Sequence, residues 1–248
     1  MATNFKLKAG NFLYKNFFSL YNILYRNFKL KNDLYEIELL KKLIKPGDAV
    51  LDIGGNIGFY AKILSDLVGD KGKVFCFEPD RINFKHLSKN VIRKTNINLF
   101  NCAVSDKNED LKIYRSKLLN VDHRTYPVNN YDSIEIVKAV SIDSIITSEN
   151  IQKIELIKID IQGYELSAFK GMLNLLEKQS PKIIAEYWPH GFKRAGTSAV
   201  EFYDFFIKLN YKFFLITKNS LTEINKDYVI KNNNQPFEFS FNVLITKN

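Results

Sequence analysis

The chain is poor in cysteine: of 248 residues only Cys76 and Cys102 are cysteine, and both fall in apolar runs that read as buried strands. A fold stapled by disulfides is thereby excluded, and a reduced, cytoplasmic protein is expected. No stretch reaches the roughly eighteen consecutive apolar residues of a membrane span. No internal repeat and no composition break marks a second domain. Acidic residues are missing from the first thirty-two positions, which hold Lys6, Lys8, Lys15, Arg26, Lys29 and Lys31. What remains, 46% hydrophobic and 25% charged, describes a globular chain long enough for one large core.

The net charge of +9 raises nucleic acid or a membrane surface as partners. Its excess is spread along a chain rich in Lys, Asn, Ile, Phe and Tyr, which a bias in composition explains without any partner. Only residues 1–32 concentrate it. There Leu13, Phe17, Tyr21, Leu24 and Phe28 recur at helical spacing. The expectation is a helical segment that covers the core or a substrate cleft of its own domain, residues 33–248. A peripheral contact of residues 1–30 with a membrane surface, or with a lipid-linked acceptor, is the alternative.

The most informative stretch is Ala49 to Tyr60. The apolar run Ala49-Val50-Leu51-Asp52-Ile53 breaks into Gly54-Gly55-Asn56-Ile57-Gly58, and an apolar-periodic segment follows. That pattern is a buried strand, a tight turn and a helix start, with Asn56 expected to take a left-handed backbone and to cap the helix. The N–H groups of such a turn are expected to face an anionic group. The dinucleotide fingerprint G-x-G-x-x-G is absent. Asp52, two residues before the turn, would repel a pyrophosphate but suits a ligand with ammonium and sulfonium charges. S-adenosylmethionine has both, and a carboxylate besides.

Further along, Asp33 and Glu36 have capping-box spacing ahead of a helix through Ile44. Lys73 to Phe77 read as a second strand ending in Glu78-Pro79-Asp80, with Asp80 capping a helix to about Lys94. Ile97 to Val104 read as a third strand, Ile154 to Ile159 as a fourth and Lys182 to Ala185 as a fifth. Alternation with helices implies parallel βαβ units. Tyr211 to Ile216 and Phe237 to Ile245 are the last strands, expected to pair antiparallel with no helix between them. Ser116 to Ser133 lack periodicity and contain His123, Arg124 and Tyr126, a candidate substrate lid.

Glu78 lies 24 positions after Gly54, at the end of the neighbouring strand. A carboxylate there can accept both hydroxyls of a ribose. Asp52, Glu78, Asp160 and Glu186 all fall at the carboxyl ends of expected parallel strands, where open α/β sheets bind ligands. Isolated carboxylates inside a core would be costly. No group of residues has the spacing of a metal site, and metal use stays open.

The ordered motifs Asp52 to Gly58, Phe77 to Asp80, Asn101 to Asp106, Ile157 to Glu165 and Lys170-Gly171 resemble those of the FkbM-type S-adenosylmethionine-dependent methyltransferases, from about Tyr35 to about Leu215. The resemblance implies a class I methyltransferase fold: a Rossmann-like, doubly wound α/β sheet in order 3-2-1-4-5-7-6 with an antiparallel seventh strand. It implies that Gly54, Gly55, Asn56 and Gly58 hold the methionine part of the cofactor, joined by Asp52. Glu78 and Pro79 would serve the ribose, Ala103 the adenine, and Asp160 the amino group and transferring methyl. It implies O-methylation of a sugar, glycan or glycolipid hydroxyl or a related small metabolite, with S-adenosylhomocysteine as product. Asp160, Glu186 and His190 are candidates for the general base such a reaction needs. Gly55 stands where the family often has Ala, and Gln162 where it often has Glu.

Two other classes compete. A nucleic-acid methyltransferase has only the net charge in its favour, for Asp160-Ile161-Gln162-Gly163 offers no Pro-Pro-aromatic run to clamp a flipped base. A non-catalytic scaffold with this fold would have no need of the glycine turn and Glu78.

Overall fold

The structure, a computed structural model, describes residues 2–116, 124–127, 131–218 and 220–247. Three helices come first: α1 (Ala2–Asn16), α2 (Phe18–Asn32) and α3 (Leu34–Leu43). Strand and helix then alternate through β1 (Ala49–Ile53), α4 (Phe59–Val68), β2 (Lys73–Phe77), α5 (Arg81–Asn90) and β3 (Ile97–Phe100). A small excursion, β4 (Ala103–Val104), β5 (Glu109–Ser116) and β6 (Tyr131–Val140), leads to α6 (Ile142–Ser148). The main sheet resumes with β7 (Leu156–Ile159), α7 (Glu165–Lys170), α8 (Leu173–Gln179) and β8 (Lys182–Tyr187). After α9 (Pro189–Arg194) and α10 (Ala199–Lys208) the chain closes with β9 (Lys212–Ile216), β10 (Leu221–Ile224), α11 (Lys226–Asn232) and β11 (Phe241–Thr246).

The central sheet runs β10-β9-β11-β8-β7-β1-β2-β3. Without its edge strand β10 this is the 3-2-1-4-5-7-6 order, and β11 is antiparallel to both β8 and β9. Its inner strands are buried on both faces, as parallel strands covered by helices must be. On one face Leu51, Ile53, Ile157 and Ile159 pack with Phe169, Phe202 and Phe206. On the other Val50, Val74, Leu156 and Ile184 meet Leu40, Leu64 and Leu87. Strand order reverses between β1 and β7, so a crevice opens at the carboxyl ends of those two strands.

Several local expectations are corrected. The third strand stops at Phe100, and Ala103–Val104 belong to a separate sheet of order β4-β6-β5. The last two main strands are antiparallel, but β10 and α11 lie between them. Gly171 divides the helix after β7, because its backbone passes so close to Ser105 that a Cβ would stand 1.9 Å from the Ser105 carbonyl oxygen. No capping box forms at Asp33: its side chain accepts from Tyr60 Oη at 2.7 Å and pairs with Lys29, while Glu36 turns into the core. Asp80 does cap α5, its Oδ1 accepting from the N–H groups of Ile82 and Asn83 at 2.9 and 2.8 Å.

The first two helices also differ from expectation in which face they bury. Tyr14, Phe18, Tyr21 and Tyr25 point inward, against Ile57 and His86 and beside Phe59. Tyr14 Oη donates to Asn83 Oδ1 at 2.6 Å, and Asn22 Nδ2 donates to Asn90 Oδ1 at 3.0 Å. Phe17, Leu24 and Phe28 stay exposed. The polar anchors on α5 select the tyrosine face, which fixed apolar spacing alone does not reveal.

Candidate active site

The turn after β1 is built by three left-handed residues, Gly54 (φ 89°), Asn56 (φ 48°) and Gly58 (φ 89°). At Gly54 there is no room for a side chain, since a Cβ would lie 2.1 Å from the Asp160 carbonyl oxygen. That close approach brings the ends of β1 and β7 together. Gly58 acts elsewhere, at the start of α4, where a Cβ would meet Leu87 at 2.8 Å; its absence lets α4 lie against α5. Asn56 does not cap that helix. At Gly55 a Cβ would stand 2.3 Å from the Cys76 sulfur, so an alanine would require the thiol to move.

The N–H groups of the turn are largely spent inside the protein, which corrects the expectation that they await an anion. Gly54 and Gly55 both donate to the Phe77 carbonyl at 2.9 Å. Asn56 N–H donates to Glu78 Oε2 at 2.8 Å, and Asp80 N–H donates to Glu78 Oε1 at 2.9 Å. Glu78 is thus the hinge pin between the β1 and β2 turns. It is buried, and burial pushes its pKa up to about 8 against the opposing effect of those two N–H bonds. Each oxygen retains acceptor capacity for a second donor.

Two cavities meet at this turn. The first, about 620 Å³ counting its open mouth, is lined by Gly54, Asn56, Glu78, Pro79, Ala103 and Asp160, with Phe77, Cys102, Val104 and Ile113 as apolar walls. Arg124 and Tyr164 also border it. The second, about 820 Å³ counted in the same way, is lined by Asp52, Gly54, Gly55, Asn56, Asp160 and Lys158, and by Tyr25, Phe28 and Lys29 from α2. Gly54, Asn56 and Asp160 border both. One elongated ligand could therefore lie across the turn with an end in each.

The second cavity is walled by opposite charges. Lys158 sits beside Asp52 in the β1–β7 register, its Nζ 3.5 Å from Glu36 Oε1 and 4.8 Å from the centre of the Tyr60 ring. Burial opposes its charge, yet Glu36, Asp160 and Asp52 hold its pKa above the ordinary lysine value. Asp52 is buried too, and its pKa is pushed to about 6 by burial in spite of Lys158 and of Cys76 Sγ, which donates to its Oδ2 at 3.5 Å. Lys29 lies over the rings of Phe59 and Tyr60 and pairs with Asp33. Two carboxylates and two ammonium groups therefore face one space, a complement to an amino-acid zwitterion.

Asp160 is held at the crevice by its own turn. Gln162 (φ 58°) donates from Nε2 to Asp160 Oδ1 at 2.9 Å, and buried Glu165 accepts from Ile161 N–H at 2.9 Å. Tyr126 Oη donates to the Gln162 carbonyl at 3.0 Å, tying the segment 124–127 to this turn. His123, named with Arg124 and Tyr126 as a lid residue, lies outside the described residues. Glu186 lines neither cavity. It is half-buried at the end of β8, with Oε2 shielded from solvent, and burial together with Asp160 and Glu165 pushes its pKa to about 8. His190 also lines neither cavity, packing 5.8 Å from the Trp188 ring and 5.5 Å from Phe237. That cluster reaches the first cavity through Arg124, whose guanidinium lies 5.0 Å from the Trp188 ring. Among the described residues, no three His, Cys, Asp or Glu side chains are grouped to hold a metal ion.

From the sequence Glu36 reads only as a capping residue and Lys29 only as one of a basic run, and Lys158 draws no reading. Lys158 carried a signal: a lysine within Leu156-Ile157-Lys158-Ile159, a strand apolar at every other position, needs a buried partner.

The Methyltransferase FkbM domain family matches residues 52–213. The chain belongs to that family. It is 30% identical over 149 residues to the hexuronic acid methyltransferase AglP of Haloferax volcanii, covering 60% of this chain and 59% of AglP. It is 27% identical over 157 residues to the 2-O-methyltransferase NoeI of Sinorhizobium fredii, covering 57% of this chain and 64% of NoeI. The chain thus spans about three fifths of the length of these curated relatives. Among solved structures, methyltransferase FkbM from Methylobacillus flagellatus superposes with a TM-score of 0.53 at 18% identity, covering 85% of this chain and 50% of that one. This last likeness establishes the class I methyltransferase fold. The motifs that mark the family, from the glycine turn to the Asp160 turn, are those that border the two cavities.

Proposed function

We propose that the chain transfers the methyl group of S-adenosylmethionine to a hydroxyl of a sugar. The observation that carries the reading is the pair of neighbouring cavities that share Gly54, Asn56 and Asp160 in their walls, one bordered by Glu78 and apolar residues and the other by opposite charges. Glu78 would accept the ribose hydroxyls with its remaining lone pairs, and Pro79, Ala103 and Val104 would flank the base. Asp52 and Asp160 would face the amino group, and Lys29 and Lys158 the carboxylate. The bound cofactor supplies a methyl group already activated on a sulfonium, so the chain's main contributions are proximity and alignment.

An attacking hydroxyl must lose its proton. Asp160, on the border of both cavities, is the acceptor this reading favours, with Glu186 behind it as a second carboxyl whose proton is retained to about pH 8. His190 would contribute to the ring wall formed with Trp188 and Phe237. The family membership and the names of AglP and NoeI support a sugar acceptor. Arg124 over an aromatic wall suits a sugar that carries a carboxylate.

The test is S-adenosylhomocysteine release with uronic-acid-terminated and neutral oligosaccharides offered side by side. Turnover on the former, lowered about 10²–10⁴-fold in Asp160→Asn even at saturating S-adenosylmethionine, is expected. Cofactor binding with no turnover on any sugar would overturn the acceptor assignment.

A further inference from the structure

The outer side of the N-terminal helices is apolar, and no described residue covers it. Phe12, Phe17, Leu20, Ile23, Leu24 and Phe28 are all about half exposed or more, from 49% at Leu20 to 63% at Phe28. At 3.6 residues per turn, the four on α2 fall within an arc of roughly 140°, centred about 90° from Tyr21 and about 130° from Tyr25. Lys31 rises within that arc and Arg26 stands about 60° beyond its edge. These helices lie outside the family match at residues 52–213. Helices that only had to cover their own domain would need the tyrosine face alone.

We infer that this face docks on an anionic lipid bilayer, with α2 lying in the plane of the interface. Charge selects this occupant. Residues 1–32 carry six Lys or Arg and no Asp or Glu, and the charged residues of α2 nearest the apolar arc, Lys31 and Arg26, are both basic. Such residues are drawn to acidic headgroups, while the long Lys and Arg stems lie along the acyl boundary. Two copies meeting through this face would bring like charges together. Among the described residues no helix is long and apolar enough to cross a membrane, so the contact is peripheral. Phe28 belongs both to the exposed face and to the rim of the second cavity, and Lys29 follows it on that rim. Docking would therefore set the mouth of that cavity at the lipid surface, within reach of an acceptor carried on a lipid. The inference concerns binding alone and stands whether or not the methyl-transfer reading holds.

The experiment is co-sedimentation of the full chain with phosphatidylcholine vesicles, with and without a quarter of phosphatidylglycerol, in low and high salt. The wild type is expected to sediment with the anionic vesicles and to be released in part by salt. Leu20→Glu/Ile23→Glu/Leu24→Glu, which alters exposed positions only, should lower the partition coefficient about tenfold or more with an unchanged thermal melt. The milder Ile23→Ser/Leu24→Ser should fall between, and serves if the triple variant melts early. Three results would overturn the inference. They are absence of the wild type from anionic vesicles, equal sedimentation of the variants, and a wild-type dimer that the substitutions convert to monomer.

Discussion

The first cavity takes its walls from the ends of β1, β2 and β7, from β4 and from Arg124 to Thr125, at Ile53, Phe77 to Pro79, Cys102 to Val104, and Asp160 to Gln162. The second draws charged and aromatic side chains from α2, α4 and the middle of β7, as distant in sequence as Tyr25 and Lys158. One is shaped mainly by backbone turns, the other by side chains that have to be brought together. The backbone-built cavity should fail all at once when its turn is altered. The side-chain-built one should weaken by degrees, and only toward ligands that carry an amino-acid end.

The largest effect is expected at Gly54, one of the residues that border both. Gly54→Val would force a side chain against the Asp160 carbonyl in a left-handed backbone, and should cost about 3 kcal/mol or more. A lowered thermal melt, with S-adenosylhomocysteine and adenosine binding both lost in calorimetry, would bear this out. Next, Glu78→Ala removes acceptors for two N–H groups and for a ribose. Adenosine and S-adenosylhomocysteine should both weaken by about a hundredfold, on the order of 3 kcal/mol. Smaller and more selective, Lys29→Gln should weaken S-adenosylhomocysteine about tenfold, near 1.4 kcal/mol, and leave adenosine unchanged. Equal losses for both ligands would erase the distinction between the cavities.

A pH effect should be measurable in the ligand-free chain. Asp52, Glu165, Glu78 and Glu186 have folded pKa values of about 6, 7, 8 and 8, above ordinary values of 3.8 for Asp and 4.5 for Glu. Between those limits the folded chain holds protons that the unfolded chain has shed. Their contribution to stability is full below about pH 4 and is lost as pH rises through 6 to 8. Denaturant melts should show that fall, and Glu78→Gln should flatten it.

The same contrast explains what could be read from the sequence. The glycine turn, Glu78 and the strand order are local or sequential: each follows from a few neighbouring residues and from the handedness of βαβ units. Asp80 was legible as a cap because capping is settled within three residues. Asp33 and Glu36 had the same spacing, but Tyr60 and Lys158 competed for their carboxylates from other elements. Lys158 acquires its meaning only when α3 and α4 fold onto the sheet, and the buried faces of α1 and α2 depend on Asn83, His86 and Asn90 of α5. Such partners lie tens of residues away, beyond the reach of any periodicity.

The central claim is that one ligand spans both cavities, with its nucleoside by Glu78 and its amino-acid end by Lys29 and Lys158. Calorimetric titration of the wild type with S-adenosylhomocysteine and, separately, with adenosine tests it most directly. The account predicts that both bind and that the amino-acid end tightens binding by tenfold or more, about 1.4 kcal/mol. Equal affinities would mean that the second cavity takes no part, and failure of the folded chain to bind either would contradict the site itself.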